Sequence, residues 1–576
     1  MNTRKLFAGV ASAAMALSLV GCGGGDKAAT GGDKSLVVGT TSELSGVFSP
    51  LYYKTSYDNY VINMVYQSML DYDADSNLVP TLAEDLPKVS KDGTKITFKL
   101  KDGIKFSDGT TLDANDVKFT FTLLADPSYA DRFATNANFI EGYKEYHDGD
   151  AKELSGIKVG KDNLTITFSL VNPETGEPCP DIAAVSTLGG MKIVSDEQYD
   201  YKKGKIGDYE AKSDEPMGSG PYVLNSFEKS SGASLVRNEN YTGEGDYKIE
   251  KVVIKTIAEA TELTSLETGE INYFPDSIEA DIIGPASTNE NLTFNHYFRA
   301  AEGYIAYNTE NGPTADVAVR QALNYATNRE EFCKAFFKFP EASEELAETS
   351  LGYVPSVYWN PVSKSMGDIV TGKKTTEGLI DYKYDLEKAK QILDDAGWKP
   401  GKDGIREKDG QKLEIKFLLS EGNSVLEMLI PIIQKSWKEL GVDLKQNTVD
   451  FNTLVDTVVP GEKGANDEWN AFFMATSYTG TADVDANGMY GSKEPDNYPC
   501  IKDAELDGYL KAGRRTGDEA TSVENYTKAM VRSNELAAYL PVYGNELFNV
   551  YAKNIKGMKT GPVRDWSQSL DTAYIE

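Results

Sequence analysis

Histidine is nearly absent from this chain: two occur in 576 residues, His147 and His296. Proton transfer near neutral pH and binding of transition metals both draw heavily on imidazole, so its scarcity works against both. His147 stands in EYHDGD, which reads as a solvated loop, and His296 alternates within LTFNHYFR, which reads as a strand. Neither has an evident serine or cysteine partner, and no G-x-S-x-G elbow occurs. Cysteine is also scarce. The four present are Cys22, Cys179, Cys333 and Cys500, with no C-x-x-C pair, which argues against a structural zinc site. With Cys22 set aside, the other three allow one disulfide or none. Basic residues are outnumbered, 59 against 89 acidic, for a formal charge of −30. That balance excludes a phosphate-binding footprint, and with it nucleic acid as a partner. It also excludes electrostatic adhesion to anionic lipid. MGSGPY holds Gly218 and Gly220 but no third glycine and no following helix. It is a tight turn ending in Pro221, not a phosphate cradle.

Long apolar runs are missing too, save one. Arg4 and Lys5 precede an apolar segment over residues 6–20, and then comes LSLVGCGGGDKAATGG. Two cations, an apolar core too short to span a bilayer and small residues before a cut predict a secretory signal over residues 1–21. LVGC is similar to the bacterial lipobox, in which cleavage precedes the cysteine and lipid is added to it. Residues 22–35 are then a lipidated cysteine, Cys22, and a flexible tether. As a glycine-rich coil, its thirteen residues GGGDKAATGGDKS reach about 20 Å. The expected location is extracytoplasmic, lipid-anchored to the bacterial cell membrane.

The remainder is dense in structure signals, and its length allows more than one sizeable core. SLVVG is a short apolar strand, followed by a polar loop with exposed-looking Phe48, Tyr52 and Tyr53. TKITFKLKDG and NLTITFSL alternate with period two and predict half-buried strands. YVLNSFEKSSGASLVRN reads as a hairpin turning at Ser230 to Gly232. ADVAVRQALNYAT carries Val319, Ala322, Leu323 and Ala326 on one helical face. Asn328 and Glu331 then open a further helix. DLEKAKQILDDAGW predicts a helix capped by Asp385, with Ile392 and Leu393 inward and Gly397 as its stop. A later helix contains Pro431, which predicts a kink or a turn. The class is α/β, with mixed sheets and surrounding helices.

Two patterns bear on chemistry. Ser226-Phe-Glu-Lys229, Tyr358-Trp-Asn360 and Lys559-Thr560-Gly561 follow the SxxK, YxN, KTG order of penicillin-binding-type serine enzymes, although Ser226 closes a strand instead of opening a helix. DVDANGMYGSKE matches a calcium loop in full through Asp483, Asp485, Asn487, Gly488 and Glu494, but a strand and loop precede it where a helix belongs. DYDADSN, residues 71–77, lacks the turn glycine and is a solvated connection.

Several segments together resemble the bacterial extracellular solute-binding proteins of family 5, which include oligopeptide- and dipeptide-binding lipoproteins of ABC importers. They are LVPTLAEDLPKVSKDGTKITFKLKDGIKFSDGTTLDANDVKFTF, then PMGSGPYVL with RNENY, YIAYNTENGPTADVAVRQALNYATNREEF, AKQILDDAGWKPGKDGIREKDGQKLEIKF and LPVYGNELFNVYAKNIKG. In this order they run from residue 36 to the end of the sequence. One departure is Leu86, where the family usually has tryptophan.

The resemblance implies a periplasmic-binding-protein-like, two-lobed fold of type II in its large form. Lobe I comprises 36–64, 206–296 and 531–576, with an inserted subdomain at 65–205, and lobe II comprises 297–530. It implies a cleft that closes on a ligand by hinge motion and hands it to membrane permease subunits. Peptide binders of the family place an aspartate in the segment MATSYTGTADVDANGMYGS, where it pairs with the ligand's amino terminus. Aligned on TAD, that residue is Asp483. Aligned on Asp483-Val484 as the acidic-proline step, the anchor falls near Gly480 and is missing. The expected ligand contacts are Asp483, Tyr478, Thr481, Phe48 and Asp485, with no catalytic residue, no cofactor and a monomeric chain. Alternatives within the fold are an oligosaccharide or metal-chelate ligand, or the sensing of a signalling peptide. The penicillin-binding-type enzyme is the alternative from another class.

Overall fold

The computed structural model of the chain describes residues 35–53, 55–129, 131, 133–198, 201–338, 349–350, 356–358, 366–461, 464–478, 482–494 and 496–576. Cys22, the signal segment and the tether up to Lys34 lie outside them.

Period-two alternation places strands where the sequence predicts them. Lys95–Lys99 buries Ile96 and Phe98 and pairs antiparallel with Thr165–Ser169, which buries Ile166 and Phe168. Alternate side chains of a pleated strand share a face, so both apolar sets meet one core. Lys88–Val89 and Ile157–Val159 complete a four-stranded sheet. The hairpin forms from Tyr222–Glu228 and Gly232–Arg237. Gly232 holds φ at +110°, and a Cβ there would strike the carbonyl oxygen of Ile254.

Helices follow their caps. Val317–Tyr325 buries Val319, Ala322 and Leu323, and its N-cap Asp316 accepts the Ala318 N–H. Arg329–Phe336 starts at Asn328, whose Oδ1 accepts the Glu331 N–H at 3.2 Å. Leu386–Asp395 starts at Asp385, which accepts the Lys388 N–H at 2.9 Å, and ends before Gly397 at φ +88°. Leu393 is buried there and Ile392 half-buried. Ser424–Leu440 runs unbroken through Pro431, where the sequence predicts a kink or turn. Pro431 and Glu427 are both exposed. The carbonyl deprived of its N–H partner therefore lies on the solvent side, where hydration replaces the lost bond.

Two sequence expectations fail for the same reason: aromatic area is costly to leave in water. The loop after Ser35–Thr40 is packed, not exposed. Phe48 is fully buried, edge-on to Phe227 at 5.0 Å, Tyr52 packs against Tyr129 at 5.5 Å, and Tyr53 is half-buried against Phe133. His147 ends the short helix Tyr143–His147 and stacks on Tyr143 at 5.4 Å instead of sitting in a solvated loop.

Twelve strands join in one mixed sheet. Along its main path the order is Asp443–Val449, Glu414–Ser420, Ala471–Ser477, Ala301–Tyr307, Tyr539–Ala552, Tyr273–Ser277, Ser35–Thr40, Lys251–Thr256, Gly232–Arg237 and Tyr222–Glu228. The strand Tyr539–Ala552 is buried along most of its fourteen residues. Its first half pairs with Ala301–Tyr307 and its second with Leu292–Phe298 and Tyr273–Ser277. The apolar clusters divide at the same place. One set draws on residues up to Leu292 and from Phe548 onward, and the other on residues from Tyr304 to Tyr543. Among the described residues no cluster contains buried members from both sides. The four-stranded sheet belongs to the first set, since Phe98 and Phe168 share a cluster with Leu36 and Val38.

Candidate functional site

The backbone crosses between the two apolar sets at Arg299–Ala300 and at Gly544–Asn545. Arg299 clamps the pair: its N–H donates to the Asn545 carbonyl at 3.2 Å and its Nε to Asn545 Oδ1 at 2.9 Å. The Tyr478 N–H donates to the Ala300 carbonyl at 2.8 Å. A one-residue shift between Gly303 and Tyr304 ends the regular pairing beside this point.

On one side of the crossing lie the carboxyl ends of two parallel strands, Ser35–Thr40 and Tyr273–Ser277. Open α/β sheets bind ligands at such ends. Asp276 occupies a bulge there with φ at +59°, and bulges re-aim a side chain away from the regular pleat. Tyr60 Oη donates to Asp276 Oδ2 at 2.6 Å and Tyr297 Oη to Oδ1 at 3.4 Å. Asn63 Nδ2 donates to Asp565 Oδ2 at 2.9 Å. Burial pushes the Asp276 carboxyl above its ordinary range. Burial raises Asp565 likewise, and the nearby Asp276 adds to it. Asp276, Tyr297 and Asp565 are each half-buried and keep part of their surface open to solvent.

On the other side Tyr478 Oη donates to Glu302 Oε1 at 3.0 Å, and Glu302 is buried. Burial and the Glu302 charge hold the Tyr478 hydroxyl protonated. Tyr304 and Thr476 share a hydrogen bond at 3.1 Å. Back on the first side, His296 Nδ1 lies 2.9 Å from Glu546 Oε2, with its ring stacked on Phe548 at 5.0 Å. The crossing is therefore rich in carboxylates and phenols, with Arg299 tied to Asn545. Among the described residues no serine or cysteine stands beside a general base here. Carboxylates and phenols of this kind accept from N–H donors and cations.

The expected contacts fare differently. Tyr478 reaches the crossing. Phe48 does not offer a wall to a ligand, because its ring is fully buried against Phe227. Thr481 lies outside the described residues. Asp483 and Asp485 enter only through the backbone of the helix Ala482–Tyr490, and their side chains lie outside the description. The backbone there is helical where the calcium pattern predicts a loop. A calcium loop is irregular backbone, whereas this stretch is regular helix from its first position through Tyr490. Asn487 instead donates to Tyr526 Oη at 2.7 Å, and Glu494 lies beyond the helix end. The serine-enzyme pattern disperses as well. Ser226 is an exposed residue of a strand, Tyr358 is fully buried with its hydroxyl on Ser533 Oγ at 3.1 Å, and Thr560 accepts from Asn549.

Asp276, Tyr60, Tyr297, Arg299, Glu302 and Asn545 escaped the sequence reading. A signal exists for some of them. Asp276 ends an apolar strand in INYFPDS, Glu302 is a lone acid within an apolar run, and GNE interrupts YLPVYGNELFNVYA.

The fold is that of the type II periplasmic binding proteins. The structure of the oligopeptide-binding protein AppA from Bacillus subtilis, solved with a nonapeptide, superposes with a TM-score of 0.73 at 24% identity, covering 94% of this chain and 99% of that one. Lactococcal OppA with an endogenous peptide in the closed conformation gives 0.76 at 19%, covering 94% and 99%. The chain belongs to the bacterial extracellular solute-binding proteins, family 5, whose model matches residues 77–497. It is 26% identical to Bacillus subtilis AppA over 93% of this chain and 90% of that protein. It is equally identical to the nickel-binding periplasmic protein of Escherichia coli, over 83% of each. The family consists of extracytoplasmic solute binders, not enzymes. Among the described residues no helix is long and apolar enough to cross a membrane.

Proposed function

We propose that this protein is the substrate-binding component of an ABC importer, capturing extracellular peptides and delivering them to a membrane permease. Two lobes, 36–64 with 206–296 and 531–576 (bearing the insert 65–205) and 297–530, close over the crevice by bending at the crossing. Lipid on Cys22 keeps the chain, a monomer, at the membrane. The observation that carries this reading is the crossing itself: two backbone passages clamped by Arg299, flanked by carboxylates, with no apolar cluster among the described residues bridging the sides. Two passages with little shared core make a low-cost hinge. Relatives such as the oligopeptide-binding protein AppA support a peptide ligand.

Asp483 anchors the ligand's amino terminus, with Tyr478, Thr481 and Asp485 around it. The test begins with mass spectrometry of whatever co-purifies, followed by titration calorimetry of free-amine and N-acetylated peptides. Asp483→Ala is expected to weaken free-amine peptides tenfold or more and to leave acetylated ones unchanged. Equal affinity of Asp483→Ala and wild type for free-amine peptides removes the anchor. Recovery of an oligosaccharide or a metal chelate removes the peptide.

A further inference from the structure

The lobe I wall of the crevice contains acidic groups that the anchor role of Asp483 does not use. Asp276 accepts from two phenols, Tyr60 and Tyr297, and Asp565 accepts from Asn63 at Oδ2 and from the N–H and hydroxyl of Ser567 at Oδ1. Among the described residues neither carboxylate has a cation within ion-pair distance. Arg299, whose charge reaches Asp276, donates to Asn545 instead. An independent observation lies beside them. Tyr273 is fully buried, its hydroxyl has no hydrogen-bond partner among the described residues, and it lies in the field of both Asp276 and Asp565. Its ring is fixed by stacking on Tyr551 at 5.3 Å and by Trp566 at 5.9 Å, while Tyr60 packs on the same Trp566 at 5.1 Å. A buried hydroxyl without a partner is costly. Two carboxylates with like charge in one crevice are costlier still unless a positive group comes between them.

We propose that Asp276 and Asp565, with the Tyr60, Tyr297 and Tyr273 hydroxyls, form a second subsite that takes an ammonium or guanidinium group of the ligand. An ammonium carries three N–H donors. The two carboxylates and one phenol oxygen offer it three acceptors on a wall shaped by the bulge at Asp276. The subsite rests on the peptide reading in one respect: the group it receives is then a lysine or arginine side chain, at a fixed distance from the amino terminus held elsewhere.

The test uses the mature protein and a pentapeptide series, free at the amino end, in which lysine or norleucine is scanned through positions two to five over alanine. At one position lysine is expected to bind at least tenfold tighter than norleucine. Asp276→Asn is expected to reduce that ratio to near one while norleucine peptides keep their affinity. Asp565→Asn serves as the second variant, and thermal melts check folding of both. A lysine-to-norleucine ratio near one at every position overturns the subsite, as does a ratio kept by both variants. If no peptide binds at all, the peptide reading fails separately. Agmatine, a guanidinium without a peptide backbone, then reads the subsite directly. Binding lost in Asp276→Asn sustains it, and no binding to wild type overturns it.

Discussion

Asp181 carries a disproportionate share of one contact. Its side chain is 1% exposed and accepts from two consecutive arginines, from Arg514 Nε at 3.0 Å and from Arg515. The segments are far apart in sequence, one within 65–205 and the other within 297–530. They are joined also by the Ile182 N–H on the Arg514 carbonyl at 3.0 Å and by Lys511 with Glu174. Replacing Asp181 with asparagine leaves two adjacent guanidiniums that repel one another, with 14% and 16% of their side-chain surface in water. Removing one member of a fully buried ion pair costs about 3–5 kcal/mol. The residual hydration of the arginines lowers this, giving a loss of about 2–4 kcal/mol. Urea unfolding followed by circular dichroism, extrapolated linearly for wild type and Asp181→Asn, measures it. Arg515→Met completes a double-mutant cycle: with one cation gone as well, the double variant is expected to lose less than the sum of the single losses. A loss below about 0.5 kcal/mol, the level of an exposed pair, would refute the reasoning. Under the proposed function these segments lie on opposite lobes, so Asp181→Asn is also expected to weaken peptide binding by lowering the closed population. Unchanged affinity with lowered stability assigns the contact to stability alone.

Further predictions concern the first apolar set. Burial pushes Asp116 up to about 7, against the N–H groups of Asp113 and Asp196 that it accepts. A carboxyl raised on folding contributes stability that is full below its unfolded pKa near 4 and lost as pH rises through 7. Asp116→Asn is therefore expected to gain on wild type by roughly 3–4 kcal/mol between pH 4 and pH 8. A difference independent of pH sinks this. Gly220 donates to the Val65 carbonyl at 2.8 Å, and a Cβ there would run into the Met64 and Val65 carbonyls. Gly220→Ala is expected to cost about 2–3 kcal/mol, since backbone cannot give way as a side chain can. A melting temperature equal to wild type would show that the helix end moves freely.

Gly218 and Gly220 also show how sequence and structure divide the explanation. The sequence marks MGSGPY as a turn. In the structure neither glycine has a positive φ, and both are required by close approach to the end of the helix Ser56–Val65. Nothing local in the sequence announces that approach. Strands, caps and hairpins were legible because they depend on neighbours one to four residues away. The cap at Asp385, the alternation at Ile96 and Phe98 and the turn before Gly232 all came from such short-range rules.

The candidate site obeys other rules. Calcium-like spacing from Asp483 to Glu494 was overridden by a helix over Ala482–Tyr490, because linear spacing of ligands has meaning only in a loop. Phe48 looked free in the sequence and is buried, since the partner that covers it, Phe227, lies 179 positions further on. Asp276, Tyr60, Tyr297 and Asp565 come from four separated segments. Only the pairing of Tyr539–Ala552 with strands on both sides, and the parallel neighbours Ser35–Thr40 and Tyr273–Ser277, bring them to one crevice. By itself the sequence determined the class of fold, the family and the location of most local elements, because each rests on residues close in the chain or on an ordered set of motifs. Tertiary structure alone decided which carboxylates meet, because burial and convergence depend on chain segments hundreds of residues apart.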